Sequence, residues 1–226
     1  MSDPTTLGRL YGRRTGHKLR IGQAALIEDL YPQVEVPESG ALTATRLFGD
    51  DRQLHFEIGF GSGEHLAGQA VAQPEQGFIG CEPFINGVVG ALLHVDEQKI
   101  TNIRLHMGDA LQVLARLPDA SLTRVYLLHP DPWPKMRHAK RRMMNPGPLA
   151  MIAAKLKRGG QFRFGTDHPI HVQWAMMQMN QRPEFAWQVR DCRDFQKRSA
   201  DWPETRYERK ARRLGHEVWY FEYTRV

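Results

Sequence analysis

Cysteine is scarce in this sequence, and long apolar runs are absent from it. Cys81 and Cys192 are the only two cysteines among 226 residues, so a disulfide framework is excluded, and no Cys/His spacing resembles a zinc site. The first twenty residues have no apolar core of signal-peptide type, and no later run is long enough to cross a membrane. We therefore expect a cytoplasmic protein with no metal site and no membrane partner.

Acidic residues are missing from two long stretches, 4–27 and 132–166. Both stretches contain bunched lysine and arginine, and a third basic cluster covers 206–213. Any one cluster could be a solvated surface. Three clusters in a chain of net charge +6 favour a phosphate-rich partner held on one face.

Strand and helix patterns alternate along most of the chain, which favours an α/β fold with a mostly parallel sheet and helices on both faces. Residues 1–45 read as a basic arm and connector, and 46–226 as the main domain. Strands are predicted at 54–59, 77–82, 102–108, 124–129, 161–166, 185–191 and 217–226. Helices are predicted at 63–73, 84–98, 109–117, 148–157 and 170–180. The last two strands are expected to form an antiparallel hairpin at one edge, making seven in all.

A glycine-rich turn follows the first predicted strand, in "FEIGFGSGEH". Gly59, Gly61 and Gly63 allow tight turns and leave no Cβ to block a ligand, at the sheet edge where open α/β folds bind nucleotides. Glu57 lies within the strand end. The spacing resembles the first motif of class I S-adenosylmethionine-dependent methyltransferases.

Two further acids follow the next two predicted strands. Glu82 lies where a carboxylate can accept from both ribose hydroxyls of a nucleoside, and Asp109 lies where one can accept from an adenine amino group. The alternative makes Asp109 a helix N-cap and Glu82 a surface acid. Capping does not explain an acid at three successive strand ends, so we favour a nucleoside site.

The fourth predicted strand runs into "PDPWP", in which three prolines restrict the backbone around Asp131 and Trp133. Such a loop can hold a carboxylate in a fixed position. A tryptophan there needs a surface to cover, and a nucleobase is one candidate. The alternative is that this segment is a rigid exposed loop without a ligand.

Several separated motifs, in order, resemble the bacterial tRNA (guanine-N7-)-methyltransferase family. They are "YGRRTGH", "EIGFGSGEHL", "GCEPFINGV", "PDPWPKMRHAKRRM", "GTDH" and "TRYERKARRLGHEVW", and they cover most of the chain. The resemblance implies a class I methyltransferase fold. It also implies S-adenosyl-L-methionine as the methyl donor, S-adenosyl-L-homocysteine as the product, tRNA as partner and N7 of guanosine 46 in the variable loop as acceptor. No obligate protein partner is evident.

The resemblance also implies roles for single residues. The donor site would be formed by Glu57, Gly59, Gly61, Gly63, Glu82, Asp109 and Asp131, with Asp131 also the catalytic residue. Substrate contacts would come from Lys135, Asp167, Thr205, Arg206, Tyr207 and Glu208. RNA contacts would come from Arg13, Arg14, Arg137, His138, Lys140, Arg141 and Arg142.

Some positions depart from the family pattern, and other functions remain open. Many relatives have phenylalanine at His129 and an aromatic residue at His168, so the two histidines are expected to be structural. An amino-group methyltransferase acting on adenine N6 or glutamine is the enzymatic alternative, although its loop usually has two consecutive prolines. An RNA-binding module without activity is the other, and a nicotinamide dehydrogenase is disfavoured by the glycine spacing.

Overall fold

Seven strands form one sheet in the computed structural model, which describes residues 11–12, 14–191 and 193–226. They are β1 Leu54–Ile58, β2 Gly77–Cys81, β3 Ile103–His106, β4 Leu122–Leu128, β5 Leu156–Thr166, β6 Phe185–Trp187 and β7 Trp219–Arg225. Their order is β3-β2-β1-β4-β5-β7-β6. The first five are parallel to one another, and β7 runs antiparallel between β5 and β6. The predicted sheet and its antiparallel C-terminal hairpin are confirmed.

The strand order reverses at β1, which pairs with β2 on one side and β4 on the other. In an open parallel sheet such a reversal opens a crevice at the carboxyl ends of the strands. The turns after β1, β2, β3 and β4 therefore meet at one edge. These turns contain Glu82, Asp109 and Asp131, whereas Glu57 lies within β1.

Helices cover both faces of the sheet. They are α1 Ile21–Ala25, α2 Tyr31–Val34, α3 Ala44–Phe48, α4 Glu64–Ala72, α5 Ile85–Gln98, α6 Ala110–Arg116, α7 Pro146–Lys155, α8 Pro169–Met179 and α9 Arg206–Arg213. One buried cluster joins α4 and α5 to the sheet, and a second joins α6, α7 and α8 to it. The described residues contain no helix with the length and apolarity needed to traverse a bilayer.

The N-terminal segment is more ordered than an arm and connector suggest. The chain is helical from Ile21 to Val34, because a π-helical turn at Leu26–Leu30 links α1 to α2. Pro32 lies at the start of α2, where a missing N–H is tolerated, so it does not end the helical path. Beyond it, Val36 N donates to Leu105 O on β3 at 2.9 Å. The domain boundary at residue 45 stays a prediction.

Two short helical elements occupy the long connection between β6 and β7. A 3-10 turn covers Asp194–Gln196, and α9 begins after Thr205, whose side chain accepts from Glu208 N at 3.2 Å. Trp202 between them is 1% exposed. The sequence predicts a long loop here, whereas in the structure α9 packs on β4 and β7 and reaches the glycine turn after β1.

Candidate active site

The turn between β1 and α4 requires glycine. Gly59, Gly61 and Gly63 have φ of +70°, +60° and +80°, angles that other residues adopt only with strain. A Cβ on Gly63 would lie 2.8 Å from the Cα of Ala91, so this glycine also allows α4 to pack closely on α5. A Cβ on Gly59 would meet nothing within 4 Å. The turn therefore has open space beside it for a ligand.

Glu82 follows β2 and connects the glycine turn to the start of α5. Its Oε2 accepts from Gly61 N at 2.9 Å, and its Oε1 accepts from Phe84 N at 3.0 Å. Burial raises the pKa of Glu82, the two N–H donors oppose the rise, and the charges of Asp131 and Glu57 add to it. Each carboxylate oxygen keeps one lone pair, so Glu82 can hold the turn and still accept from a ligand hydroxyl.

Glu57 lies deeper, within β1. It is 2% exposed, and its Oε2 is 2.7 Å from Nδ1 of His65 on α4. The His65 ring in turn packs edge-on against Tyr126 of β4, with the ring centroids 4.6 Å apart. Glu57 thus belongs to a buried network at the base of the crevice, and nothing in the sequence pattern indicates His65 as its partner.

Asp109 fulfils the capping alternative that the sequence allowed. Its side chain accepts from Leu111 N at 2.9 Å at the start of α6. The residue is nevertheless placed directly after β3, at the crevice edge, and its second carboxylate oxygen is not used by the cap. Capping and ligand binding are therefore compatible at this position.

The segment after β4 has an unusual backbone. His129 and Trp133 have φ of +48° and +43°, and His129 N donates to Gly165 O at 2.7 Å. Asp131 between them is exposed. Asp131 follows β4 as Glu82 follows β2, on the two sides of β1, and its charge adds to the raised pKa of Glu82.

Trp133 covers side chains of this chain. Its ring meets the ring of Tyr11 edge-on at 6.2 Å and that of His138 at 5.7 Å. The guanidinium of Arg141 lies 4.8 Å from the Trp133 ring centroid and 4.6 Å from that of Tyr11. A cation between two aromatic faces stabilises this arrangement. The Trp133 ring thus covers Tyr11, His138 and Arg141, whereas a nucleobase was predicted as a candidate surface for it.

The N-terminal arm continues from Tyr11 across the crevice. Gly12 lies beside Asp131, since a Cβ there would be 3.9 Å from its Oδ2. On the far side, the carbonyl of Arg14 accepts from Ile85 N at 3.1 Å, and that of His17 accepts from Asn86 Nδ2 at 3.1 Å. The Arg14 side chain is exposed, and Arg13 lies outside the described residues. The arm therefore joins the segment after β4 to the start of α5.

The predicted RNA-contacting segment is a 3-10 helix, Met136–Arg141. Arg137 and Lys140 are exposed, as is the preceding Lys135, whereas His138 and Arg141 are half-buried. Arg142 differs from all of them. It is 2% exposed, donates to the carbonyls of Pro132 and Trp133 at 3.1 and 2.9 Å, and lies over the Trp174 ring. Its guanidinium faces the loop and not the solvent.

The "TRYE" segment at the start of α9 reaches the glycine turn. A Cβ on Gly61 would lie 3.0 Å from Cε2 of Tyr207, so this ring lies against the turn. Nε of Arg206 is 3.8 Å from Oε1 of Glu64 at the start of α4. The predicted substrate segment and the predicted donor site are therefore contiguous.

Glu208 faces inward and lies beside His129, a histidine expected from the sequence to be structural. Glu208 is fully buried, and neither carboxylate oxygen accepts a hydrogen bond from the described part of the chain. Nε2 of His129 lies 3.9 Å from Glu208 Oε1, and its Nδ1 lies 3.5 Å from Asp167 Oδ1. Asp167, His129 and Glu208 thus form one cluster. His168 follows at the start of α8.

Comparisons with known proteins agree with this geometry. Residues 51–221 match a family described as "Putative methyltransferase". Relatives named tRNA (guanine-N(7)-)-methyltransferase include proteins from Zymomonas mobilis, 65% identical, and Sphingopyxis alaskensis, 62% identical. Each match covers 99% of this chain and 97% of the relative.

Solved structures share the fold at low identity. The 16S rRNA methyltransferase KamB matches with a TM-score of 0.55 at 15% identity, over 85% of this chain and 98% of that one. A precorrin-6y C5,15-methyltransferase from Geobacter metallireducens matches with a TM-score of 0.54 at 14% identity, over 88% and 100%. The fold is that of S-adenosylmethionine-dependent methyltransferases, and the near-complete matches at high identity show that the chain belongs to the tRNA (guanine-N7-)-methyltransferase family.

Proposed function

We propose that this protein methylates N7 of guanosine 46 in the variable loop of tRNA, with S-adenosyl-L-methionine as the methyl donor. The observation that carries the proposal is the meeting of three elements at one crevice. The glycine turn and its bound Glu82, the Asp131 loop, and the start of α9 with Tyr207 all lie at the carboxyl edge of the sheet. The glycine turn proposed for the donor, the Asp131 loop proposed for the base and the basic helix α9 are therefore adjacent.

The residues at the crevice fit a nucleoside sulfonium. The open space beside Gly59 accommodates a ligand close to the backbone, and Glu82 offers free lone pairs to ribose hydroxyls. Asp109 serves the adenine, and Glu57 and Asp131 supply negative charge near a cationic centre. When bound, the donor supplies an electrophilic methyl group.

No general base is needed in this reaction. Guanine N7 has an in-plane lone pair and carries no proton, so the protein's contribution is to align N7 with the methyl group. The product base is cationic, so the Asp131 carboxylate near it stabilises the transition state more than the neutral substrate. The prolines on either side of Asp131 hold that carboxylate in place without a cost at the moment of reaction.

We assign recognition of the base to acidic groups and recognition of its backbone to basic ones. Guanine presents N1–H and an amino group on one edge, and Asp131, Asp167 and Glu208 are the acceptors proposed for them. Lys135, Thr205, Arg206 and Tyr207 complete the substrate contacts. Phosphates are assigned to Arg14, Arg137, His138, Lys140 and Arg141, together with Arg13. Arg142 is buried, and we assign it the role of fixing the Asp131 loop through its hydrogen bonds to the carbonyls of Pro132 and Trp133.

The proposed function is tested by incubating the purified protein with isotopically labelled S-adenosyl-L-methionine and a tRNA transcript, then identifying the modified nucleoside. We expect N7-methylguanosine, and no label in a matched transcript with adenosine at position 46. Label in N6-methyladenosine or in protein would favour the amino-group alternative. Binding of tRNA without any transfer would favour a non-catalytic RNA-binding module. We also propose that the protein acts in the cytoplasm without an obligate protein partner.

A further inference from the structure

His129 lies between two acids that come from different elements. Asp167 follows β5, with its Oδ1 3.5 Å from His129 Nδ1, and Glu208 lies on α9, with its Oε1 3.9 Å from His129 Nε2. The His129 side chain is 5% exposed and Glu208 is fully buried. Neither His129 nitrogen makes a hydrogen bond within the described residues, so the two carboxylates act on the ring through their charge, which favours the imidazolium. The two-sided arrangement therefore suits the charged form.

The backbone fixes the position of this ring. His129 has φ of +48°, and its N–H donates to Gly165 O at 2.7 Å. Its ring also lies roughly parallel to that of Tyr207, with the centroids 6.3 Å apart and the planes at 20°. The imidazole is therefore held by β5 and α9 as well as by the two acids, and Asp167 and Glu208 align with it.

Other charged and titratable groups surround the three residues. Arg198 Nε lies 3.8 Å from Glu208 Oε2, and His216 Nδ1 lies 3.7 Å from Asp167 Oδ2. Among the described residues, Tyr207 also stacks beside His129, and Arg212 and Tyr220 interact electrostatically with Glu208. Arg198 and His216 each reach one acid, whereas His129 reaches both. A positive charge on His129 thus compensates the negative charges of both Asp167 and Glu208.

We propose that His129, as an imidazolium between Asp167 and Glu208, is a positioning residue that keeps both carboxylates aligned for the substrate base. The inference rests on the proposed function, which gives Asp167 and Glu208 to the guanine edge. Aligned by the imidazolium, the two acids accept from N1–H and the amino group through their free lone pairs. Loss of the imidazolium leaves two carboxylates sharing one neutral ring, and a buried carboxylate is then held without that cation.

The titration of the cluster gives this role a direction in pH. Burial lowers the pKa of His129, but contacts with Asp167 and then Glu208 outweigh it and raise that pKa above its ordinary value of 6.5. The contact with His129 is also the main reason that the pKa of Asp167 is lowered. The imidazolium is present below the raised pKa of His129 and is lost as pH rises through it. Substrate affinity should therefore weaken with rising pH.

The test compares wild type with His129→Asn, because asparagine tolerates a positive φ but does not titrate. KM for tRNA and kcat are measured over roughly pH 6 to 9, where an imidazole titrates. We expect the variant to raise KM roughly tenfold at the acidic end, as for loss of a buried ion pair that aligns the acids, with a smaller change in kcat. KM of the wild type should rise with pH and that of the variant should stay flat. His94→Asn, on α5, should behave as wild type.

A second measurement does not depend on turnover. The His129 imidazole resonance, assigned by its absence in His129→Asn, should titrate above 6.5 and shift to lower pH in Asp167→Asn. Donor affinity of His129→Asn by calorimetry should match wild type, which excludes misfolding as the cause. Its thermal midpoint should be lower than that of wild type, because a buried carboxylate loses its cation. A variant whose KM follows the wild-type pH profile, or an imidazole titrating below 6.5, overturns the proposal. Absence of N7-methylguanosine with the wild type instead overturns the proposed function, and with it the substrate role given to the two acids.

Discussion

Arg142 donates to the main-chain carbonyl of Trp133 at 2.9 Å from a position beneath the loop. Its neighbour Arg141 lies over the ring of the same residue, with its guanidinium 4.8 Å from the indole centroid. Two adjacent arginines therefore hold one tryptophan, one by its main chain and the other by its ring. Because Asp131 is two residues before Trp133, the positions of both arginines bear on the position of the proposed catalytic carboxylate.

Replacing Arg142 with alanine should destabilise the fold. The change removes two charge-assisted hydrogen bonds and a buried stem packed on Trp174, and we expect the free energy of unfolding to fall by about 2–4 kcal/mol. Urea unfolding followed by tryptophan fluorescence measures the loss. The exposed Arg137 gives the matched control, since Arg137→Ala should stay within about 0.5 kcal/mol of wild type. Equal stability of the two variants would contradict the buried role.

Phosphate binding by the exposed cations should be visible in the salt dependence of tRNA affinity. Each lost phosphate contact lowers the slope of log K against log[salt] by roughly 0.7 to 0.9. The double variant Arg137→Ala and Lys140→Ala should therefore reduce the slope by about 1.5 in filter-binding or fluorescence titrations. The control is Lys157→Ala with Arg158→Ala, an exposed pair at the opposite, amino end of β5. An unchanged slope in the first pair would remove those side chains from the phosphates.

Asp131→Ala should abolish most of the methyl transfer while leaving tRNA bound. Loss of a fixed carboxylate near a developing cation should lower kcat by roughly 10²–10³, with the Kd for tRNA changed by less than about threefold. Single-turnover methylation and a separate binding titration distinguish the two effects. Asp51→Ala, an exposed acid before β1, is the matched control. Normal single-turnover rates in the Asp131 variant would exclude Asp131 from the chemistry.

Much of the fold follows from the sequence because the central strands are short apolar runs with helices between them. β1 and β2 are buried at every position, as parallel strands covered on both faces should be. The boundary after α7 was less predictable: the helix was expected to reach residue 157, but Leu156 pairs with Leu122 and starts β5. Leucine suits a buried strand as well as a buried helix, so the pattern there does not distinguish them.

Helix α9 was missed because "RYERKARR" has almost no apolar side chain to reveal a helical period. A signal was nevertheless present. Thr205 and Glu208 have the spacing of a capping box, and Thr205 does cap the helix. The acid of that pair is buried beside His129 instead of capping in return. A local motif thus predicts where the helix begins but not where its side chains point.

The candidate site was predictable to the extent that topology dictates it. Acids that follow parallel strands lie at one edge of the sheet, so the sequence predicts that Glu82 and Asp131 belong to the same site. Side-chain direction within an irregular segment has no such rule. Arg141 and Arg142 read alike in the sequence, yet one lies between two aromatic rings and the other is buried under the loop. The cluster of Asp167, His129 and Glu208 likewise depends on the positive φ of His129, which the sequence pattern does not predict.

Two buried histidines should make the protein sensitive to acid. Burial, followed by the charge of Arg124, lowers the pKa of His55 to about 3, and burial lowers that of His171 to about 4. In the unfolded chain these histidines bind a proton near pH 6.5. Between 6.5 and the folded-state pKa of each histidine, the unfolded state therefore binds more protons than the folded state, and the free energy of unfolding decreases as pH is lowered. Each histidine should remove about 1.4 kcal/mol per pH unit below 6.5, down to its folded pKa.

The measurement is the free energy of unfolding of wild type and His55→Leu at pH 7, 6 and 5, values chosen to span roughly the first half of this titration. The His55 ring packs 4.7 Å from that of Phe78, where an apolar side chain is tolerated. The variant should lose less stability on acidification, with the difference from wild type growing by roughly 1.4 kcal/mol per pH unit below 6.5. His17→Leu, at an exposed position on the arm, should follow wild type. Parallel curves for wild type and His55→Leu would mean that His55 binds its proton in the folded state as readily as in the unfolded chain.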